Sequence, residues 1–154
     1  MTRRYADGTT VSVSSSQSEI RKTLTAYGAT GFAFGQDENR YLVMFRAHDR
    51  NVRFAVPAPT LDDVARTPAG KNRTTVQREA ALIAEEKRLW RCLALAIKAK
   101  LEVVQSGIAT FEDEFLHATV LPSGRTVGEE VAPLVEQAYV EGRMPSELLQ
   151  IVGS

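Results

Sequence analysis

The sequence predicts an α+β domain in which a three-stranded antiparallel meander is covered by one long helix, with a small helical C-terminal region. Three observations lead to this prediction. Residues 74–107 carry apolar side chains at helical spacing without proline or internal glycine. Residues 32–57 alternate apolar and polar with a period of two, and short amphipathic stretches follow residue 107. The length of 154 residues fits one domain.

The N-terminal part is predicted to contain a polar arm and a short helix. Residues 1–17 are polar and rich in serine, and we assign them to a flexible arm. Ser16 or Ser18 can cap a helix through EIRKTLTAYG, because Ser16 and Glu19 have the spacing of a capping box. Gly28 is expected to end this helix.

The meander is predicted at residues 32–35, 40–47 and 51–57, separated by the turn clusters GQDEN and HDRN. Alternation directs one set of side chains toward the core, where the long helix is expected to cover them. This core set is Tyr41, Val43, Phe45, Ala47, Val52, Phe54 and Val56.

The opposite face of the meander carries arginines. If HDRN is a four-residue loop, Ala47 pairs with Val52, and Arg46 lies directly opposite Arg53. Like charges placed opposite each other destabilise a sheet by roughly several tenths of a kcal/mol. A neutralising group is therefore expected, which can be Asp49, another acid of the fold or a nucleic-acid backbone.

A long proline-containing loop at 57–76 leads into the long helix. Its GKNR segment brings Lys71 and Arg73 to the helix start, with Arg66 and Arg78 on either side. A helix N-terminus favours anions, so these residues are candidate phosphate contacts. The segment lacks the spacing of a phosphate-binding P-loop, and we predict no nucleotide site.

The long helix is the predicted centre of the domain. Thr74 and Gln77 fit a capping box at its start, and Gly107 fits a stop signal. Steps of four, four, four and three residues define one apolar stripe. The stripe consists of Leu89, Leu93, Ile97, Leu101 and Val104.

The C-terminal region is predicted to be helical. Thr110 can cap a helix FEDEFLHATV, and after a tight turn a second helix, VGEEVAPLVEQAYVEG, ends at Gly142. The following tail offers Leu148, Leu149 and Ile151 for docking a partner. The buried side of the second helix is predicted to be Val127, Val131, Leu134 and Ala138.

The zero net charge hides a division along the chain. Residues 1–100 hold seventeen Lys/Arg against ten Asp/Glu, a net of +7, whereas residues 101–154 hold two against nine, a net of −7. We accordingly divide the chain into the arm, a basic α-β-β-β-α core at 18–107 and an acidic helical region at 108–154. The division predicts a polyanionic partner for the first half, or attraction between the halves within or between chains.

Composition argues against several other classes of protein. No run of eighteen apolar residues exists, so we expect no membrane span. The N-terminus lacks the apolar segment of a secretion signal, and Cys92 is the single cysteine. We therefore expect a reducing location in the cytoplasm.

Candidate catalytic groups are sparse. Asp113 and Glu114 lie four and three residues before His117, a spacing that can place two metal ligands on a helix, but no second cluster supplies the remaining ligands. Neither a nucleophile elbow nor a dinucleotide fingerprint is present. We expect no enzyme, no metal and no cofactor.

Nucleic-acid binding requires a basic surface and, for single strands, exposed aromatic side chains. The candidate aromatics Phe34, Tyr41 and Trp90 are more typical of core positions. The sheet, loop and long helix together offer nine candidate phosphate contacts. They are Arg46, Arg53, Lys71, Arg73, Arg78, Lys87, Arg88, Arg91 and Lys98.

Two resemblances extend this interpretation. The stretch LALAIKAKLEVVQSGIATFEDEFLHATVLPSGRTVGEEVAPLVEQAYVEGRMPSELL resembles a family of small uncharacterised bacteriophage and prophage proteins, which implies phage origin and a location in the bacterial host cell. The hairpin YLVMFRAHDRNVRFAV and the helix segment EEKRLWRCLALAIKAK resemble, in their layout, the core of the phage single-strand annealing superfamily. That resemblance implies self-assembly and single-stranded DNA held between hairpin and helix. Its implied phosphate contacts are Arg46, Arg53, Lys87, Arg88 and Arg91.

The sequence thus favours a non-enzymatic phage protein that binds single-stranded nucleic acid, with self-assembly for strand annealing as the more specific form. The alternative is a protein-interaction or virion assembly module that oligomerises through its basic and acidic halves. The first hypothesis depends on hairpin arginines and helix lysines converging into one cationic trough.

Overall fold

The computed structural model describes residues 4–147 and confirms the α+β class. Three antiparallel strands lie in the order β1-β2-β3. The predicted docking residues Leu148, Leu149 and Ile151 lie outside the described residues. The elements are α1 (Val13–Tyr27), β1 (Thr30–Gln36), β2 (Arg40–Ala47), β3 (Arg50–Pro57), α2 (Thr75–Gln105), α3 (Phe111–Glu114), a 3-10 helix (Leu116–Ala118) and α4 (Val127–Glu141).

The first helix begins earlier than the sequence predicted. Ser12 is the N-cap, and its side chain accepts a hydrogen bond from the backbone N–H of Ser15. Ser16 is not a cap but a fully buried residue inside α1, next to the buried Ile20 one turn later. Residues 13–17, which we had assigned to the arm, are therefore helical.

The long helix α2 was predicted closely. Thr74 and Gln77 form the complete capping box, and the helix ends at Gln105, two residues before the expected stop at Gly107. Ile97 and Leu101, from the predicted stripe, are buried in the core. These local signals worked because capping depends only on neighbouring residues.

The β2–β3 hairpin has a tighter turn than predicted. Only His48 and Asp49 lie outside the strands, with φ of 50° and 57°. Two positive φ values are typical of the type I′ turn, whose twist matches that of antiparallel strands. The register therefore places Arg46 opposite Asn51, and Met44 opposite Arg53. The predicted Arg46–Arg53 pairing was wrong.

The two faces of the sheet differ sharply. The inner face holds the predicted core set, of which Val43, Phe45 and Val52 are buried against α1 and α2. The hydroxyl of Tyr41 donates a hydrogen bond to Glu86 Oε1 at 2.9 Å, which links the sheet to α2. The alternating residues define the outer face. They are Thr30, Ala33, Gly35, Leu42, Met44, Arg46, Asn51, Arg53 and Ala55.

The C-terminal region closes one end of the core. The predicted single helix after Thr110 is instead α3 followed by the 3-10 helix, and Phe111 and Phe115 are buried in it. Their rings stack at a centroid distance of 4.6 Å. The backbone N–H of Val120 donates to the Asn51 carbonyl at 2.8 Å, which attaches the segment to the edge of β3. Helix α4 then begins with a Thr126 capping box.

Among the described residues, no helix has both the length and the apolar character that crossing a membrane requires.

Candidate interaction surface

Two of the predicted α2 cations, Arg88 and Arg91, enter ion pairs within the fold. Arg88 Nη2 lies 2.8 Å from Glu85 Oε1, and Arg4 Nη2 lies 3.1 Å from Glu85 Oε2. The hydrogen bond from Arg88 is the largest cause that lowers the pKa of Glu85. Arg91 pairs with Glu19, which joins α2 to α1. Both arginines therefore have structural partners on the surface of the helix pair.

Arg53 is also paired with a carboxylate. Its Nη2 lies 3.2 and 3.0 Å from the two carboxylate oxygens of Glu129, and its Nη1 donates to the Gly124 carbonyl at 2.9 Å. The pKa of Glu129 is lowered first by the backbone N–H of Thr126 and further by the nearby charge of Arg53. The acid that neutralises Arg53 comes from the C-terminal region, as one alternative for the sheet arginines had anticipated.

Arg73 of the 57–76 loop and Arg78 of α2 stabilise the backbone of the loop. Arg73 Nη1 donates to the carbonyls of Val64 and Arg66 at 3.1 and 2.9 Å, and Arg78 Nε donates to the Arg73 carbonyl at 3.3 Å. These acceptors are carbonyls, and neither Arg73 nor Arg78 has an ion pair with an acid of residues 4–147. Lys71 is exposed on the same loop.

The remaining candidates are less constrained. Arg46 is exposed and its nearest carboxylate, Asp49, lies 3.9 Å away. Lys71, Lys87 and Lys98 have no ion pair within the part of the chain that the structure describes.

The nine cations do not line one trough. Arg46 and Arg53 project from the outer face of the sheet, whereas α2 covers the inner face. The candidate basic residues of α2, which are Lys87, Arg88 and Arg91, therefore lie on the other side of the sheet from the hairpin arginines. The sequence shows which residues are basic, but not the sides of the sheet from which they project.

The aromatic candidates belong to the core. Trp90 and Tyr41 are buried, with ring centroids 5.5 Å apart, and Phe34 meets Trp90 edge-on at 5.9 Å. Burial, followed by the hydrogen bond to Glu86, raises the pKa of Tyr41 to about 12. These three rings provide no exposed platform for stacking a base.

Helix α4 carries an apolar surface that the sequence did not single out. None of its fifteen residues is buried, although the residues of the helix are apolar on average. Its predicted inner side is only half-buried, and Val135, Tyr139 and Val140 are 42%, 86% and 81% exposed. We call these three residues, together with the exposed Leu116 of the 3-10 helix, the α4 stripe. A signal was present in the sequence, because apolar residues occupy two sides of this helix rather than one.

A shallow groove of about 630 Å³ runs beside the stripe, between α4 and the 3-10 helix. Val131 and Val135 form part of its apolar lining, and Asp113 and Glu136 lie along it. Neither acid has an ion pair among the described residues. Burial and the charge of Lys100 lower the pKa of His117 in the same groove, so the groove has acidic rather than cationic side chains at neutral pH.

Within residues 4–147, no group of three or more His, Cys, Asp or Glu side chains is arranged to hold a metal ion. No protein-family model matches the chain, and no curated protein or solved structure matches it. Fold and surface together describe an α+β domain in which α4 presents an apolar stripe with acidic neighbours.

Proposed function

We propose that this chain is a protein-interaction module that assembles with further copies of itself through α4. The observation that carries the proposal is the α4 stripe: Tyr139 and Val140 are large apolar side chains and are almost fully exposed. Val135 and Tyr139 lie one turn apart on the same side of α4, and exposed apolar surface with a polar border is typical of protein interaction sites. Burying each such side chain contributes about 1.5–3 kcal/mol.

The division of charge favours a second copy as the partner. Only three ion pairs join the basic and acidic parts of the chain among the described residues: Arg53 and Arg40 with Glu129, and Lys100 with Glu114. Within residues 4–147, Lys71, Lys87 and Lys98 of the first part and Asp113 and Glu136 of the second have no ion pair. Each copy therefore carries both complementary charges, and a neighbouring copy supplies what one chain leaves unmatched.

The test is sedimentation velocity across a concentration series, at about 0.05 M and about 0.5 M salt, because exposed charges are screened at the higher salt. We expect concentration-dependent association that weakens with salt. The double change Tyr139→Ser and Val140→Ser should weaken association by about tenfold or more, as loss of an apolar hot spot does.

A matched control is Tyr5→Ser, which removes an exposed tyrosine from the N-terminal segment. It should associate like the unchanged protein. A chain that stays monomeric at every concentration, or a Tyr139/Val140 variant that associates normally, overturns the proposal.

Single-stranded nucleic-acid binding is the second candidate, and the unpaired lysines Lys71, Lys87 and Lys98 favour it. The phage annealing resemblance, the location in a bacterial host and the absence of enzymatic activity stay predictions. Fluorescence anisotropy of a labelled oligonucleotide tests this candidate. Binding that weakens steeply with salt and is reduced by Lys87→Glu with Lys98→Glu supports it, because phosphate contacts release counterions. An absence of binding at low salt rejects it.

A further inference from the structure

We infer that the α4 stripe of one copy packs on the outer face of the sheet of the next copy. This inference rests on the proposed function and names the surface that receives α4. The outer face has an apolar centre in Leu42 and Met44, which are half-buried, while Ala33 and Ala55 on the flanking strands are exposed.

The shape of the outer face suits a helix. Small residues on β1, Gly31 and Ala33, leave a shallow depression of about 440 Å³, which continues to Met44 and Arg46 on β2. On the far side Val120 borders the depression. Large side chains such as Tyr139 can enter where the opposing residues are small, which is how helices and sheets interdigitate when they pack.

The charges at the two surfaces are complementary. Arg46, at the turn end of β2 on the outer face, is exposed, and its one ion-pair partner among the described residues is Asp49 at 3.9 Å. Asp113 and Glu136 lie beside the α4 stripe, and neither has an ion pair among the described residues. Opposite charges around an apolar centre fix the register of a contact and exclude like-charged arrangements.

Neither the α4 stripe nor the outer face is covered by the other within one copy. The ion pair between Arg53 and Glu129 holds the start of α4 beside β3. Tyr139 and Ala33 are nevertheless both exposed in the same molecule. The stripe and the outer face are different patches of one chain, so their contact is head-to-tail. A contact of this kind generates a ring or an open filament rather than a symmetric pair.

Mixing two variants tests this contact. Ala33→Glu places an acid in the centre of the receiving face, and Tyr139→Glu places one in the stripe. Because both positions are exposed, neither change disturbs the core, and circular dichroism with thermal melting checks each fold. We expect each variant alone to sediment as a monomer. Their equimolar mixture should form a dimer that does not grow further, since only one intact interface remains.

The matched control is Ala99→Glu, which adds the same charge at an exposed alanine of α2 and should assemble normally. Normal association of Ala33→Glu overturns the inference but leaves the proposed function standing, since α4 would then pair elsewhere, for example with another α4. Failure of the mixture to dimerise also overturns it. Truncation after Glu147 tests whether the C-terminal tail binds the stripe instead. If the truncation abolishes association while Ala33→Glu does not, the C-terminal tail is the partner of the stripe. A monomeric unchanged protein rejects both proposals.

Discussion

Arg53 and Glu129 form a two-oxygen ion pair that joins the outer face of the sheet to the first turn of α4. The same carboxylate accepts the backbone N–H of Thr126 at 2.9 Å, which completes the helix cap. One glutamate thus both begins α4 and attaches it to β3. The orientation of the exposed stripe depends on this attachment.

We predict that Arg53 and Glu129 are energetically coupled. Arg53→Met or Glu129→Gln should each lower the free energy of unfolding by about 1–2 kcal/mol, since a hydrogen-bonded charge loses its partner. The double variant should cost less than the two single losses added, with a coupling near 1 kcal/mol. Urea denaturation of all four proteins measures the cycle. Strict additivity would show that the pair contributes nothing.

Acid should weaken the fold through Glu85. Arg88 holds the folded pKa of Glu85 below its ordinary value. The unfolded chain therefore binds the proton more readily, and the contribution of Glu85 to stability is complete above the ordinary glutamate pKa of about 4.3. It is lost as the pH falls through the lowered folded pKa.

Urea denaturation of Glu85→Gln across this pH range checks the sign. The loss of stability relative to the unchanged protein should be largest near neutral pH and should shrink as the pH falls below about 4. Glu79→Gln is the control, because Glu79 is exposed and has no ion pair among the described residues. A Glu85→Gln deficit that stays constant with pH would contradict the prediction.

The hairpin turn offers a change that should stabilise the protein. Asp49 has a φ of 57°, a conformation that glycine adopts without strain. Asp49→Gly should therefore raise the free energy of unfolding by roughly 0.5 kcal/mol, whereas Asp49→Ala should lower it. Opposite signs for the two variants, measured by thermal or urea unfolding, identify the backbone as the cause. Equal effects would instead implicate the Arg46 contact of the Asp49 side chain.

The parts of the fold that the sequence predicted well are those governed by neighbours along the chain. Thr74 and Gln77 marked the start of α2, and strand alternation selected the inner face correctly. The prediction of the hairpin register failed because HDRN contains no glycine. The sequence therefore contained no indication that His48 and Asp49 would both adopt positive φ. Shortening the turn from four residues to two changes every cross-strand partner, although each side chain stays on the same face.

The candidate site was harder to predict because ion pairing is a tertiary property. Arg91 and Glu19 are 72 residues apart in sequence, and Arg53 and Glu129 are 76 apart. Counting cations identified basic residues, but it could not show that these two had acidic partners. Similarly, the apolar residues of α4 suggested that the helix is buried. Only the three-dimensional structure shows that Tyr139 and its side of the helix are exposed.

Gly128 should be essential for the placement of α4. A Cβ at this position would lie 2.9 Å from the His117 backbone carbonyl oxygen, closer than real Cβ contacts. Alanine normally stabilises a helix by about 1 kcal/mol relative to glycine. Here the neighbour is backbone and cannot rotate away, so Gly128→Ala should instead cost about 1–3 kcal/mol, as overpacking does.

The matched control is Gly35→Ala, whose Cβ would meet the Leu42 Cβ at an ordinary 3.6 Å. It should leave the packing of α4 unchanged. Thermal unfolding and sedimentation velocity measure the two expected effects of Gly128→Ala: a lower melting temperature and weaker self-association, because the stripe is displaced from its orientation. If Gly128→Ala is more stable than the unchanged protein, the 3-10 helix does not hold α4 in place. The stripe would then present its side chains to a partner without a fixed direction.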